Sequence, residues 1–236
     1  MEEQGKTIFE EGQVLLFNKP LYWTSFDLVN KIRIIIRSKL GIKKIKVGHA
    51  GTLDPLASGL MIICTGRATK KIDEFRDLDK EYVATFHLGE TTPSYDLETE
   101  TDNKYPTDHI TEVLVREALN SFLGEQKQVP PMYSAKRIAG KRAYEFARQG
   151  IEKKLEPVIV FFREIELLSY GIPDTKVRLV CSKGTYIRSF ARDFGQALKS
   201  GSYLSALERS AIGTYHVNNA YDIEKFQEFV EQMQQI

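Results

Sequence analysis

The sequence predicts a chain that mixes helices and strands, and three local patterns predict it. Short apolar runs ended by turn formers read as buried strands, as in Val14-Leu15-Leu16-Phe17 before Asn18-Lys19-Pro20. Lys80 to Gly89 alternates, with Tyr82, Ala84, Phe86 and Leu88 on one face of a strand. Thr24-Ser25-Phe26-Asp27 places a hydroxyl cap three residues before an acid, a helix start. Phe26, Val29, Ile32, Ile36 and Leu40 then recur at helical spacing until Gly41.

Composition sets bounds on the rest. A chain of 236 residues can bury a sizeable core, and 42% hydrophobic with 28% charged residues is ordinary for a globular protein. The net charge of +1 says nothing of a partner, but its distribution does. Between Asp27 and Asp54 there is no acid, while Lys31, Arg33, Arg37, Lys39, Lys43, Lys44 and Lys46 all fall there. Cys64 and Cys181 lie alone in apolar runs without the CxxC spacing of a zinc site, so they read as buried thiols in a reducing compartment. The start, Met1-Glu2-Glu3, is acidic and lacks a signal-peptide core, and no apolar run reaches the length of a membrane span. The expectation is a cytoplasmic protein with no membrane partner and no metal.

The remaining elements follow in order. Leu60 to Cys64 reads as a buried strand, and Gly66 to Lys70 leads into a helix with Ile72, Phe75 and Leu78 as its apolar stripe. Thr91 to Thr107, with Asp96, Glu98, Glu100 and Asp102, reads as an exposed acidic loop, and its spacing is not that of an EF-hand. Ile110, Val113, Leu114, Ala118 and Phe122 mark a helix closed by Gly124. Leu155 to Ser169 and Lys176 to Ser182 read as strands, the second with Val177, Leu179 and Cys181 on one face. Helices from about Ser189 to Lys199 and from Asp222 to the end complete the chain.

Two stretches carry chemistry. Val47 to Leu60 holds glycines at 48, 51 and 59 and a proline at 55, so regular helix or strand is not expected there. Its one carboxylate, Asp54, is biased away from helical geometry by Pro55. Taken alone, an Asp-Pro pair is a turn opener. Gln126 to Tyr144 holds Lys127, Lys136, Arg137, Lys141 and Arg142 with Tyr133 and two prolines but no acid. Such a segment is either a solvated basic loop or the electrostatic footprint of an RNA contact.

The wording of the central stretch is more specific than its composition. Gly48-His49-Ala50-Gly51-Thr52-Leu53-Asp54-Pro55-Leu56-Ala57-Ser58-Gly59 resembles the active-site motif of the TruB family of bacterial tRNA pseudouridine synthases. Lys19-Pro20 with Thr24-Ser25-Phe26 is similar to that family's opening motif, although Tyr22 stands where a glycine is usual. Lys80-Glu81-Tyr82, Pro131 to Lys136, Tyr144 to Gly150, Ser182 to Arg188 and Leu207-Glu208-Arg209 extend the resemblance from Val14 to about Val217.

The resemblance implies an α+β pseudouridine synthase fold, with a mostly antiparallel mixed sheet, flanking helices and a central RNA-binding cleft. It implies one catalytic domain over residues 1–236, a thumb-like insertion over about 124–153 and no further C-terminal RNA-binding domain. Asp54 takes the place of the catalytic aspartate, Tyr82 of the active-site tyrosine packed on the target nucleotide, and Arg188 of the arginine paired with the aspartate. Lys19, His49, Tyr186, Leu207, Lys136, Arg137, Lys141 and Arg142 are the candidates for RNA binding. The implied reaction turns uridine 55 of the tRNA T-loop into pseudouridine by a monomer that flips the base out and uses no cofactor. Asp54 would act as nucleophile or as base at the ribose. The rivals are a non-catalytic RNA-binding or RNA-folding protein and a synthase acting on a different RNA.

Overall fold

The computed structural model describes residues 7–233 apart from 135, 139 and 152, with the backbone alone at Ile138. The acidic start at Met1-Glu2-Glu3, Ala135 of the basic segment and the chain end at Ile236 lie outside the described residues. The chain begins with α1 (Ile8–Glu11), β1 (Val14–Lys19) and α2 (Ser25–Leu40), followed by β2 (Val47–His49) and β3 (Ala57–Thr65). A 3-10 turn over Gly66–Lys71 leads to α3 (Ile72–Asp77) and the long β4 (Lys80–Leu88). Next come β5 (Glu90–Thr91), β6 (Asn103–Lys104), α4 (Glu112–Ser121), β7 (Gly124–Gln128), β8 (Arg137–Ile138), β9 (Lys141–Arg142) and α5 (Ala143–Ala147). Then β10 (Val158–Ser169), β11 (Asp174–Cys181), α6 (Ile187–Ala197), β12 (Ser202–Ile212), β13 (Tyr215–His216) and α7 (Ile223–Gln232) complete the α+β fold.

The chain forms two compact units. The first combines the chain up to Glu81 with the chain from Glu208 onward, and the second is Tyr82–Leu207. Strands β4 and β12 each contribute residues to both.

In the first unit β3 is flanked by β1 and β12, and β2 also pairs with β3. The antiparallel β1–β3 register runs from Val14 opposite Cys64 to Lys19 opposite Gly59. Helix α2 starts as its cap predicts: Thr24 accepts from the Asp27 amide, and the Asp27 carboxylate accepts from the Thr24 amide. Its buried face is Leu28, Val29, Ile32, Ile35 and Ile36, whereas Phe26 is exposed. At 100° per residue, Phe26 lies about 120° from the centre of that face, so it falls outside the expected stripe. Phe17 and Phe226 meet edge to face at 4.9 Å in the core. Ile72, Phe75 and Leu78 pack as expected, against a cluster of Ala50, Leu60, Ile62, Cys64 and Ile212.

In the second unit the strand order is β12, β4, β11, β10, β7, with β10 antiparallel to both neighbours. Strand β4 buries every second residue from Lys80 to Leu88, as its alternation predicts. Phe86, Phe162, Phe190 and Phe194 form the core with Val177, Leu179 and Cys181. In α4 the buried face is Val115, Ala118 and Leu119, and Val113 points to solvent on the opposite side of the helix. The acid-rich stretch after β4 is not the fully exposed loop expected. Thr92, Ser94 and Asp96 are buried, and Glu90–Thr91 pairs with Asn103–Lys104. Among the described residues no helix is long and apolar enough to cross a membrane.

Candidate functional site

In the first unit the chain around Asp54 is irregular over a shorter span than its glycines suggest. Strand β2 holds Val47–His49 against β3 (Val47 opposite Thr65, His49 opposite Ile63), and Ala57 already belongs to β3. What remains is the turn from Ala50 to Leu56, anchored at both ends. The Ala50 amide donates to Ile62 O at 3.0 Å, and the Ala57 amide to Asp54 O at 3.1 Å. Ser25, in the first turn of α2, accepts from the Leu53 amide at 2.8 Å and donates to Leu53 O at 3.0 Å. Leu53 and Ala57 are buried while Asp54 between them is half-buried. The turn thus presents one carboxylate from a backbone with little freedom, the preorganisation a reacting group needs.

Arg209 of β12 is the organiser of this turn, and it is 1% exposed. Its guanidinium donates to Leu60 O at 2.7 Å, Gly51 O at 3.2 Å and Thr52 O at 3.5 Å. Its planar guanidinium holds its donors in a fixed fork, so one side chain ties Gly51 and Thr52 of the turn to Leu60 of β3. Gly59 lets β3 run against β12 here. Its φ is +106°, and a β-carbon there would sit 2.4 Å from Arg209 O. Arg209 was not among the expected site residues. Its signal in the sequence was Leu207-Glu208-Arg209 itself, but nothing local to those residues points to a turn so far back in the chain.

Lys19 and His49 lie in the same unit. Lys19, expected to contact RNA, has no solvent exposure. Its ammonium donates to Pro20 O at 2.9 Å and Trp23 O at 2.7 Å, and so closes the turn between β1 and α2. Burial pulls its pKa down to about 8, the charge of Asp54 opposing the shift and that of Arg209 adding to it. His49 is half-buried in β2. Burial holds its pKa below the usual imidazole value against a backbone hydrogen bond with Gly51, and its Nδ1 has no partner among the described residues.

The second unit carries the other expected residues. Tyr82 is buried on the inward face of β4. Arg188, one residue into α6, is also buried. It donates through Nη1 to Tyr133 O at 2.8 Å, and its Nε lies 3.5 Å from Asp96 Oδ2. Asp96 in turn accepts from the Glu98 amide at 2.9 Å. A buried carboxylate beside a buried guanidinium fixes that guanidinium's orientation. Tyr186 is half-buried at the N-cap of α6, its amide donating to Gln128 Oε1 at 2.8 Å, and Leu207 is half-buried on β12. The basic segment forms the β8–β9 hairpin, with Arg137 opposite Arg142 and Ile138 opposite Lys141. Arg137, Lys141 and Arg142 are exposed, while Lys136 is half-buried with Nζ 3.4 Å from Glu156 O.

Comparison with known proteins gives a consistent result. Residues 37–187 match the model of the TruB family pseudouridylate synthase (N terminal domain). The chain is 56% identical to the tRNA pseudouridine synthase B of Phocaeicola vulgatus over 96% of each protein. It is 57% identical to that of Parabacteroides distasonis over 95% of each. Among solved structures, a Cbf5-Nop10-Gar1 complex superimposes with a TM-score of 0.70 at 24% identity, over 97% of this chain. An archaeal box H/ACA sRNP Nop10-Cbf5 complex does so at 0.69 and 23%. This chain spans little more than half the length of those chains, 57% and 56%, and the likeness to them is one of fold.

Proposed function

This chain belongs to the TruB family of pseudouridylate synthases and is an isomerase, and from that premise we propose that it converts uridine 55 of the tRNA T-loop to pseudouridine. The observation that carries the assignment to Asp54 is a half-buried carboxylate on a turn whose backbone is tied down by Ser25, β3 and Arg209. The protein works in the cytoplasm as a monomer.

Isomerisation breaks the bond between uracil N1 and ribose C1′, turns the uracil, and joins C5 to C1′, with the C5 proton lost and N1 taking up a proton. It is redox-neutral and consumes no energy donor. The target base is inaccessible inside a structured loop, so it must first be flipped out. Asp54, ionised, acts on the ribose of the flipped nucleotide. Tyr82 offers an aromatic face to the target, and Arg188 supplies a guanidinium already held in place by Asp96 and the Tyr133 carbonyl. His49, half-buried at the end of β2 just before the Asp54 turn, contacts the bound RNA. The stretch over 124–153 forms the thumb, and the cations of its hairpin hold phosphates.

The test is Asp54→Asn, which keeps size and hydrogen bonding and removes the charge. The variant should fold, bind tRNA as the wild type does, and release no tritium from C5-labelled uridine in tRNA. Substantial release would sink the assignment of Asp54. No release by the wild type on several tRNAs would sink the substrate.

A further inference from the structure

The turn from Pro20 to Trp23 joins β1 to α2, and within it Tyr22 adopts φ +68°. A side chain crowds the following carbonyl in this left-handed region, where glycine is free of that cost. Core packing does not offset the strain, because Tyr22 is 74% exposed. Its backbone meanwhile ties it to the candidate site: the Tyr22 amide donates to Pro55 O at 2.7 Å, one residue beyond Asp54 and in the same unit. The strained turn therefore displays an aromatic ring beside the Asp54 turn, where glycine would have made the same backbone bond more cheaply. Leu21 and Phe26 add exposed apolar surface to the same connection. Farther along α2 and its following turn, Arg37, Lys43, Lys44 and Lys46 are exposed, with no acid between Asp27 and Asp54. An exposed aromatic with a basic helix leading away from it suits a single-stranded nucleic acid, whose bases stack and whose phosphates are anionic.

We propose that Tyr22 is a substrate-binding residue whose ring stacks on an unpaired base of the RNA next to the target uridine. Flipping a nucleotide leaves its neighbours without a stacking partner, and an exposed ring whose own backbone is bonded to the Asp54 turn can replace it. The proposal rests on the reading of Asp54 as the residue that acts on an RNA uridine.

The strain makes the proposal testable, since stability and binding should move in different directions. Wild type, Tyr22→Gly, Tyr22→Asn and Tyr22→Phe are compared on a T-stem-loop RNA by thermal unfolding, filter binding and single-turnover tritium release. Glycine and asparagine both tolerate the left-handed turn, so each variant should melt at or above the wild-type temperature. Each should nevertheless bind RNA about 5- to 150-fold more weakly, the range of one base–aromatic stack, with a much smaller change in the rate at saturating RNA. Phenylalanine should restore wild-type affinity. An abasic residue placed in turn at each unpaired nucleotide flanking the target should cost the wild type heavily at one position and Tyr22→Gly little there. Wild-type affinity in Tyr22→Gly and Tyr22→Asn, or additive losses at every position, would overturn the role of Tyr22 while wild-type tritium release leaves the Asp54 reading standing. No tritium release by the wild type on this RNA would remove that reading, and the proposal built on it.

Discussion

A lysine ammonium without solvent contact loses its hydration, and Lys19 recovers part of it from the carbonyls of Pro20 and Trp23. The loss is the larger effect, so the amine releases its proton near pH 8 in the folded protein instead of at its ordinary value of 10.5. Between those values the unfolded chain keeps a proton that the folded chain has lost, and raising the pH through that window favours the folded state. Below about pH 8 both states carry the charge, and the full cost of burying it is present. Lys19→Met removes this titration. Urea unfolding from pH 7 to 10 should show the stability of the wild type rising relative to the variant above pH 8. A difference that stays constant with pH would return the amine to its ordinary pKa.

Two antiparallel residues directly opposite each other repel when their charges match, and the β8–β9 hairpin sets Arg137 opposite Arg142. A short, exposed element of this kind gains stability from a polyanion that neutralises it. Replacing Lys136, Arg137, Lys141 and Arg142 together with glutamine should therefore weaken RNA binding without unfolding the sheet of the second unit. The dependence of log K on log salt should flatten by about 0.7 to 0.9 for each phosphate contact removed. An unchanged slope in a filter-binding series would make the hairpin a solvated basic loop.

Each compact unit holds one cysteine, Cys64 in the first and Cys181 in the second, and neither has any solvent exposure. Burial also pushes the Cys64 thiol up to about 11, so little reactive thiolate exists at neutral pH. A thiol reagent should label neither cysteine in the native protein and both in denaturant. Because β4 and β12 contribute residues to both units, the two thiols should become reactive at the same denaturant midpoint. Site-resolved mass spectrometry after pulsed labelling checks this, and separate midpoints would mean that the units unfold independently.

Patterns that depend on near neighbours were determined by the sequence itself. The Thr24–Asp27 cap, the Gly41 stop, the alternation from Lys80 to Leu88 and the inward face of Val177, Leu179 and Cys181 all follow from periods and caps a few residues long. The position of Asp54 on a turn was legible for the same reason, since glycines and proline act on their own backbone. Which way a helix faces was less so: Phe26 and Val113 are apolar, but only packing decides which apolar side is covered. Partners far apart in the chain were decided by the tertiary structure alone. Asp96 reads in the sequence as one more solvated acid, and the fold sets it beside Arg188; Lys19 reads as an RNA-binding cation, and the turn to α2 closes over it. Arg209 holds the turn before Asp54 from 158 residues farther along the chain, at Gly51 O. A buried charge finds its partner only when the chain returns on itself, and no local period records where that return will occur.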